Sequence, residues 1–137
     1  MDILAKFKRN DDLIVNGAKM RLDASTWIGI ARMHDSNPQF KKVSENIARQ
    51  QQSRIDATKD EKERNELFGE LATEAFAQVC VTGWSNITMG GEVLECNEMN
   101  ILRIRKELPE LWDEMLKFAM NSANYVGTFN EADSLKN

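Results

Sequence analysis

An apolar stripe with helical spacing between Glu63 and Val81 constrains the fold of this chain more than any other feature of its sequence. Its members recur at steps of one and three residues, which places them on one side of a helix. They are Leu67, Phe68, Leu71, Ala72, Ala75, Phe76, Val79 and Cys80. The stripe predicts a central core helix that stops at Thr82-Gly83, where glycine takes the left-handed conformation that closes helices. With 137 residues, of which 42% are hydrophobic, the chain is long enough to bury a core around this helix.

The N-terminal part of the chain carries signals for one hairpin and one helix. Residues 13–22 are two short apolar runs joined by Asn16-Gly17, a pair that tolerates the positive φ angles of a two-residue β-turn. We therefore predict a small β-hairpin over this segment. Asp23 or Ser25 then caps a predicted helix through residues 27–33. This helix ends before the next proline, because the residue preceding proline avoids helical geometry.

The rest of the chain is predicted to form further helices separated by turns. Pro38 and Pro109 each stand at the first position of a predicted helix, where proline is tolerated. Asn97 caps a shorter predicted helix that precedes the second proline. The polar stretch 48–64 is interpreted as solvated helix or linker. Residues 84–96, which contain two adjacent glycines, are interpreted as an ordered loop or a second minor hairpin.

These elements predict a mainly α fold: a small helical domain of four to five helices with a short N-terminal β-hairpin, spanning residues 1–126. Residues 127–137 are polar, and we expect them to form a mobile C-terminal tail. No window approaches the ~18 to 20 consecutive apolar residues of a membrane helix, and the N-terminus lacks the apolar stretch of a signal peptide. We therefore expect no membrane partner and a cytoplasmic location, where Cys80 and Cys96 stay reduced.

Charge is unevenly distributed along the chain. The net charge is −4 and the isoelectric point about 5.1, so the chain lacks the overall electrostatics of a nucleic-acid binder. Residues 1–64 carry 13 basic and 10 acidic side chains, whereas residues 65–137 carry 5 and 12. We expect the acidic C-terminal half of one copy to meet the more basic N-terminal half of the next. Such a heterologous contact builds a homo-oligomer in the form of a ring or an open spiral.

The sequence contains no set of residues with the spacing of a catalytic, cofactor-binding or metal-binding site. His34 is the single histidine and has no recognisable nucleophile partner. Glu70 and Glu74 are four residues apart in a predicted helix, but they lack the Glu-x-x-His pattern of a metal site in a helical bundle. We therefore predict that the protein is not an enzyme and uses neither a cofactor nor a metal.

Soft apolar side chains in the C-terminal half are the candidate partner-binding residues. Methionine is adaptable and suits partners of varied shape. Met89, Met99 and Met120 are predicted to contact a partner, together with Trp112 on the broad apolar face of the last helix. Met115 is interpreted as core filler. Because Met89 and Met99 lie beside predicted turns, we expect both side chains to be partly exposed.

Several Trp, Gly and Pro residues occur in an order that resembles a known family. The pieces are Trp27–Met33, Asn37-Pro38 with Phe40, Thr82–Ile87, Glu107–Leu111, Phe118-Ala119 and Ala123–Tyr125. Their order and spacing over residues 13–126 resemble the tail assembly chaperones of long, non-contractile-tailed bacteriophages. Residues 96–100 depart from that family, which commonly has a Ser-Pro-Glu-Asn-like helix start at this place.

The resemblance implies a non-enzymatic role in phage morphogenesis. Such chaperones bind the tape measure protein in the host cytoplasm, keep it soluble, help recruit tail tube protein subunits and are absent from the finished virion. They also self-associate, and ribosomal frameshifting produces a longer form of the protein. The codons of residues 135–137 are the candidate frameshift site in this chain. Two alternatives are a virion connector or minor tail protein, which stays in the particle, and a small helical DNA-binding regulator. The regulator is disfavoured because no predicted helix carries clustered Lys and Arg.

Overall fold

A three-stranded antiparallel sheet organises the structure, a computed structural model that describes residues 1–127. In chain order the elements are α1 (Ile3–Phe7), α2 (Asp11–Asn16), β1 (Ala18–Arg21), β2 (Trp27–Ile30), α3 (Pro38–Gln50), α4 (Gln52–Ala57), α5 (Glu61–Val79), β3 (Val81–Ser85), β4 (Thr88–Met89), β5 (Glu92–Val93), α6 (Glu98–Glu107), α7 (Pro109–Met120) and a 3-10 helix (Ser122–Tyr125). The sheet has the order β1-β2-β3, and β4 and β5 form a separate hairpin. In the central strand, Ile28 lies opposite Met20 of β1 and Trp84 of β3.

The predicted fold class is wrong, because the structure is mixed α and β. Helices account for 59% of the described residues and strands for 15%, and the strands form two antiparallel sheets. The described residues also form seven α-helices rather than four to five. The three-stranded sheet escaped prediction because three helices separate β2 from β3 in the chain. Local periodicity carries no signal for a pairing between such distant segments.

The segment predicted to be a hairpin, residues 13–22, begins as a helix instead. The side chain of Asn10 caps α2 by accepting a hydrogen bond from the Leu13 amide at 3.1 Å. Gly17 ends the helix with a φ of 102°. The positive φ signalled by the Asn-Gly pair therefore serves a helix end and not a hairpin turn. The actual hairpin joins β1 to β2, with its turn at residues 22–26.

The predicted helix over residues 27–33 is also wrong, because its first four residues form β2. Asp23 does not cap a helix; its carboxylate closes the preceding turn by accepting a hydrogen bond from the Thr26 amide at 2.8 Å. A short apolar run fits either a strand or a buried helix by its pattern. Pairing with strands on both sides decides the outcome here, and it leaves Ile28 and Ile30 fully buried.

The two long helices in the middle of the chain confirm their predictions. α3 begins at Pro38, and the buried side chain of Asn37 caps it by accepting a hydrogen bond from the Gln39 amide at 3.2 Å. α5 packs against α3 and carries most of the apolar stripe into the core, although Phe68 is 44% exposed. Its predicted end is wrong, because the helix stops at Val79 and Gly83 lies within β3, opposite Gly29 of β2.

The polar stretch 48–64 is largely helical and solvated. It comprises the end of α3, all of α4 and the beginning of α5. Ile55 is its buried anchor. An exposed ion pair joins Arg54 of α4 to Glu70 of α5, with a nitrogen–oxygen distance of 3.1 Å.

The C-terminal elements follow the sequence signals closely. Residues 84–96 contain the second minor hairpin, in which Gly90 and Gly91 make the turn between β4 and β5 with φ angles of 59° and 86°. Asn97 caps α6 by accepting a hydrogen bond from the Asn100 amide at 2.9 Å. α7 begins at Pro109, as predicted.

The main core forms where the sheet, α3, α5, α6 and α7 meet. At its centre the rings of Phe76 and Trp112 pack edge to face, with 5.1 Å between their centroids. A second, smaller buried cluster joins Leu13 and Ile14 of α2 to Tyr125. The Tyr125 hydroxyl donates a hydrogen bond to the carbonyl of Ile30 at 2.9 Å, so the end of the described chain is fastened to the central strand.

α1 lies outside both cores, and none of its residues is buried. The segment that follows it is held by backbone hydrogen bonds, from the Gly127 amide to the Lys8 carbonyl and from the Asn10 amide to the Tyr125 carbonyl, both at 2.8 Å. Apart from Gly127, the predicted tail at residues 127–137 lies outside the described residues.

Two alanine substitutions are expected to change stability in opposite directions. A Cβ at Gly17 would lie 2.5 Å from the Thr82 hydroxyl and would be strained by the positive φ. Gly17→Ala should therefore lower the free energy of unfolding by about 2 kcal/mol. Gly69 is inside α5 with open space around it. Gly69→Ala should therefore raise the free energy of unfolding by about 0.5–1 kcal/mol. Urea denaturation followed by circular dichroism measures both, and a Gly17→Ala protein as stable as wild type would contradict the strain.

Candidate functional site

An open apolar groove lies between the β1–β2 turn, the segment leading into β4, and the junction of α6 with α7. Its volume is about 320 Å³. Its apolar lining consists of Leu22, Ile28, Ile87, Met89, Ile104, Leu108 and Leu111. We call it the leucine groove. Three separate segments of the chain build it, so it exists only in the folded protein.

The leucine groove has a fixed floor and an exposed rim. Ile28 of the central strand and Ile104 of α6 are almost completely buried and belong to the main core. Leu22 and Leu108 are among the exposed large apolar side chains. Burial of apolar side chains is favourable by about 1.5–3 kcal/mol for each one fully removed from water. Covering these two rim leucines with another apolar surface would therefore be energetically favourable.

Hydrogen bonds hold the polar edge of the leucine groove in place. The Asp23 carboxylate accepts hydrogen bonds from the amides of Ser25 and Thr26, at 2.9 and 2.8 Å. These bonds favour the charged form and lower the pKa of Asp23 below its ordinary value. Asn86 has a backbone φ of 62°. Its side-chain amide donates a hydrogen bond to the Ser25 hydroxyl at 3.3 Å. A negative charge therefore stands beside the apolar lining at neutral pH.

The β4–β5 hairpin places Met89 at the groove. The two glycines of its turn let the chain reverse within two residues. Its base is fixed by the Trp84 indole, which donates a hydrogen bond to the Leu94 carbonyl at 2.8 Å. The Leu94 amide in turn donates to the Ile87 carbonyl at 2.9 Å. Met89 is half-buried in the groove and keeps part of its thioether side chain accessible.

The four predicted partner-binding residues do not lie together. Only Met89 lines the leucine groove. Met99 on α6 and Met120 at the end of α7 are 72% and 56% exposed at other places on the surface. Trp112 is 4% exposed, since it packs against Phe76 inside the core. Met115 is fully buried, which confirms its interpretation as core filler.

The leucines of the groove were missed by the sequence analysis. Leu22 was assigned to a strand of the predicted hairpin, whereas it begins the actual β1–β2 turn. Leu108 is the single residue between α6 and α7. Its position directly before Pro109 is the signal that was available, because a residue before proline leaves helical geometry and does not join either helix face.

The thiol and phenol groups with shifted pKa values all favour their neutral forms. No group of three or more His, Cys, Asp or Glu in this range is placed to hold a metal ion. Burial raises the pKa of the Cys80 thiol to about 12, so this thiol stays protonated at neutral pH. Burial also raises the pKa of Cys96 and, far more strongly, that of Tyr125.

Across residues 1–127, no helix combines the length and the apolar character needed to cross a membrane.

Comparison with known proteins identifies one family. No curated protein and no solved structure matches the chain. The family model described as YdaY prophage protein matches residues 35–137, which run from just before α3 to the last residue of the sequence. This match covers most of the chain and includes α6, α7 and the β4–β5 hairpin, although not the β1–β2 side of the groove. The chain belongs to the YdaY prophage protein family and is therefore of bacteriophage origin.

Proposed function

We propose that this phage protein is a tail assembly chaperone that binds the tape measure protein in the host cytoplasm and catalyses no reaction. The observation that carries the proposal is the leucine groove, an apolar surface left open in a folded domain. Two further points support it: the bacteriophage origin of the family, and the resemblance of the sequence of residues 13–126 to tail assembly chaperones. On this proposal the protein keeps its client soluble, helps recruit tail tube subunits and leaves before the virion is complete.

The chemistry of the groove suits one face of an amphipathic helix. Apolar residues at helical spacing on the client would enter between Leu22 and Leu108, with Met89 adapting to their shapes. A lysine or arginine next to that stripe would lie near the Asp23 carboxylate. One such contact is small, so a single copy binds weakly. Many copies along one long client would bind strongly, because each additional contact is intramolecular.

Co-expression with the tape measure protein encoded by the same prophage tests the proposal. Leu22→Glu with Leu108→Glu places two charges on the rim without opening the core. We expect the soluble, co-purifying fraction of the client to fall about tenfold, because binding an apolar stripe of the client would then remove two unpaired carboxylates from water. Phe68→Glu on α5 is the matched control, since Phe68 is similarly exposed and does not line the groove.

Three results would overturn the proposal. The first is a client that is equally soluble with the wild type, with the double variant and without the chaperone gene. The second is recovery of the protein in purified phage particles by mass spectrometry, which would assign it to the virion connector or minor tail protein class. The third is binding of duplex DNA at low salt with no effect on the client, which would indicate the DNA-binding regulator.

A further inference from the structure

The Asn16-Gly17 pair at the end of α2 is a chemically labile sequence with an exposed asparagine. The backbone nitrogen of Gly17 can attack the Cγ atom of Asn16, because glycine has no side chain to obstruct the approach. The attack forms the N–Cγ bond of a succinimide ring, and the carboxamide nitrogen leaves as ammonia with the proton that Gly17 loses. Solvent water then breaks either the new bond, which leaves aspartate, or the original peptide bond, which leaves isoaspartate.

The folded structure keeps the two reacting groups apart. The Gly17 amide donates a hydrogen bond to the Leu13 carbonyl at 3.0 Å. The Asn16 carboxamide donates to the Asp12 carboxylate at 2.7 Å, which directs it back along the helix. Asn16 is the last residue of α2 and has helical ψ, so its Cγ atom lies outside the plane of the following peptide bond. The flat succinimide ring requires Cγ in that plane, so it cannot close while α2 is formed.

α2 is held by contacts that can break without unfolding the main core. It has six residues, whereas a helix needs about 12–15 to be even marginally stable alone. Its support is the smaller core formed with Tyr125, together with the hydrogen bond from the Arg32 amide to the Ile14 carbonyl at 2.9 Å. Proteins open locally in cooperative units of this kind. Opening of α2 with the smaller core would release the amide of Gly17 and the ψ angle of Asn16.

We propose that Asn16-Gly17 is a modification site whose deamidation is controlled by local opening of α2, and that the modification makes the opening permanent. Isoaspartate adds a carbon to the main chain next to Gly17, where even a Cβ would lie 2.5 Å from the Thr82 hydroxyl. Aspartate places a second carboxylate against Asp12 and a negative charge at the C-terminal end of a helix, both of which are unfavourable. Neither residue of the pair lines the leucine groove, so the inference does not depend on the proposed function.

Peptide mapping by mass spectrometry tests the proposal on the full chain at mildly alkaline pH. The rate of conversion of residue 16 from amide to acid is measured in native buffer and in guanidinium chloride. We expect the native rate to be at least about tenfold lower, because the reaction then waits for local opening. Asn16→Gln is the matched control: its longer side chain closes a ring far more slowly, so the signal at this position should be lost under both conditions.

Two conservative aromatic variants locate the opening that matters. Tyr125→Phe weakens the smaller core by one hydrogen bond and should raise the native rate roughly fivefold. Trp112→Phe changes the main core and should leave that rate as in the wild type. Equal rates in native buffer and denaturant would overturn the proposal, as would an unmodified residue 16 in the denatured chain. An equal rise in both variants, or in neither, would overturn the local opening.

Asn16→Asp tests whether the modification keeps α2 open, because it supplies one product of the reaction directly. Hydrogen exchange of the Gly17 amide should be roughly three- to tenfold faster in this variant than in the wild type. Asn16→Gln retains a neutral carboxamide and should exchange like the wild type. Equal exchange in all three proteins would show that aspartate at this position does not destabilise α2, and would overturn that part of the proposal.

Discussion

Tyr125→Ala is expected to lower the free energy of unfolding by about 4 kcal/mol, corresponding to a fall in melting temperature of roughly 10–15 °C. The tyrosine ring is fully buried, packs edge to face on Phe118, and forms the smaller core with Leu13 and Ile14. Its removal would leave a cavity between α2 and the end of the described chain. It would also leave the Ile30 carbonyl without its 2.9 Å hydrogen bond.

Tyr125→Phe separates these two contributions. The ring remains, so this variant should lose only about 1–2 kcal/mol for the missing hydrogen bond. Hydrogen exchange gives a local measurement, because the Asn10 amide donates to the Tyr125 carbonyl and should exchange faster in the alanine variant. Equal stability of Tyr125→Ala and the wild type would mean that the smaller core does not stabilise the domain.

Trp112→Ala is expected to lower the free energy of unfolding by about 3–5 kcal/mol, a large fraction of the total for a domain of this size. Trp112 is 4% exposed and packs edge to face against Phe76 at the centre of the main core. Any loss of client binding in this variant should follow from loss of folding. Circular dichroism and client co-purification, measured on the same samples, would show the two decreasing together.

Trp112→Phe separates the effect of the ring on folding from an effect of the tryptophan on client binding. It keeps an aromatic ring against Phe76 and removes an indole N–H that is buried without an acceptor among residues 1–127. Leaving such a group unpaired costs about 1–3 kcal/mol, which offsets part of the lost packing. We expect a folded protein with wild-type client binding. Normal stability combined with lost binding would instead show that the tryptophan contacts the client.

The helices that were predicted correctly have both a periodic face and a local boundary signal. α3 and α7 begin at prolines, α6 begins after an asparagine cap, and the apolar stripe defines α5 over most of its length. The proline and asparagine signals act within one turn of helix, and the stripe lies within a single helix. Their success therefore needs no knowledge of what the helix packs against.

The N-terminal part was predicted wrongly because its signals are shared by different structures. An Asn-Gly pair supplies positive φ, which a hairpin turn and a helix end both require, and at Gly17 it ends a helix. The short apolar run Trp27–Ile30 fits a buried helix and a buried strand equally well. One of its two partner strands is β3, about fifty residues away in the chain. No local sequence pattern in β3 indicates that it pairs with β2.

The sequence indicated a kind of side chain that lines the candidate site, but it did not indicate which residues come together there. Met89 was selected as a soft side chain beside a turn, and it lines the leucine groove. Trp112 was correctly placed on an apolar face, yet that face turns inward against Phe76. Leu22 and Leu108 come together only because the β1–β2 turn and the α6–α7 junction meet in the folded chain, which is a tertiary contact.

The pairing of β2 with β3 also affects how the chain emerges during synthesis. The β1–β2 hairpin is made early, but its second partner follows only after the 50 residues between Ile30 and Val81 have been translated. At ordinary elongation rates this takes roughly 3–10 s. During that interval the nascent polypeptide exposes an unpaired, isoleucine-bearing strand edge, which is a template for aggregation. The newborn chain is therefore vulnerable to intermolecular strand pairing until β3 (Val81–Ser85) has emerged from the ribosome.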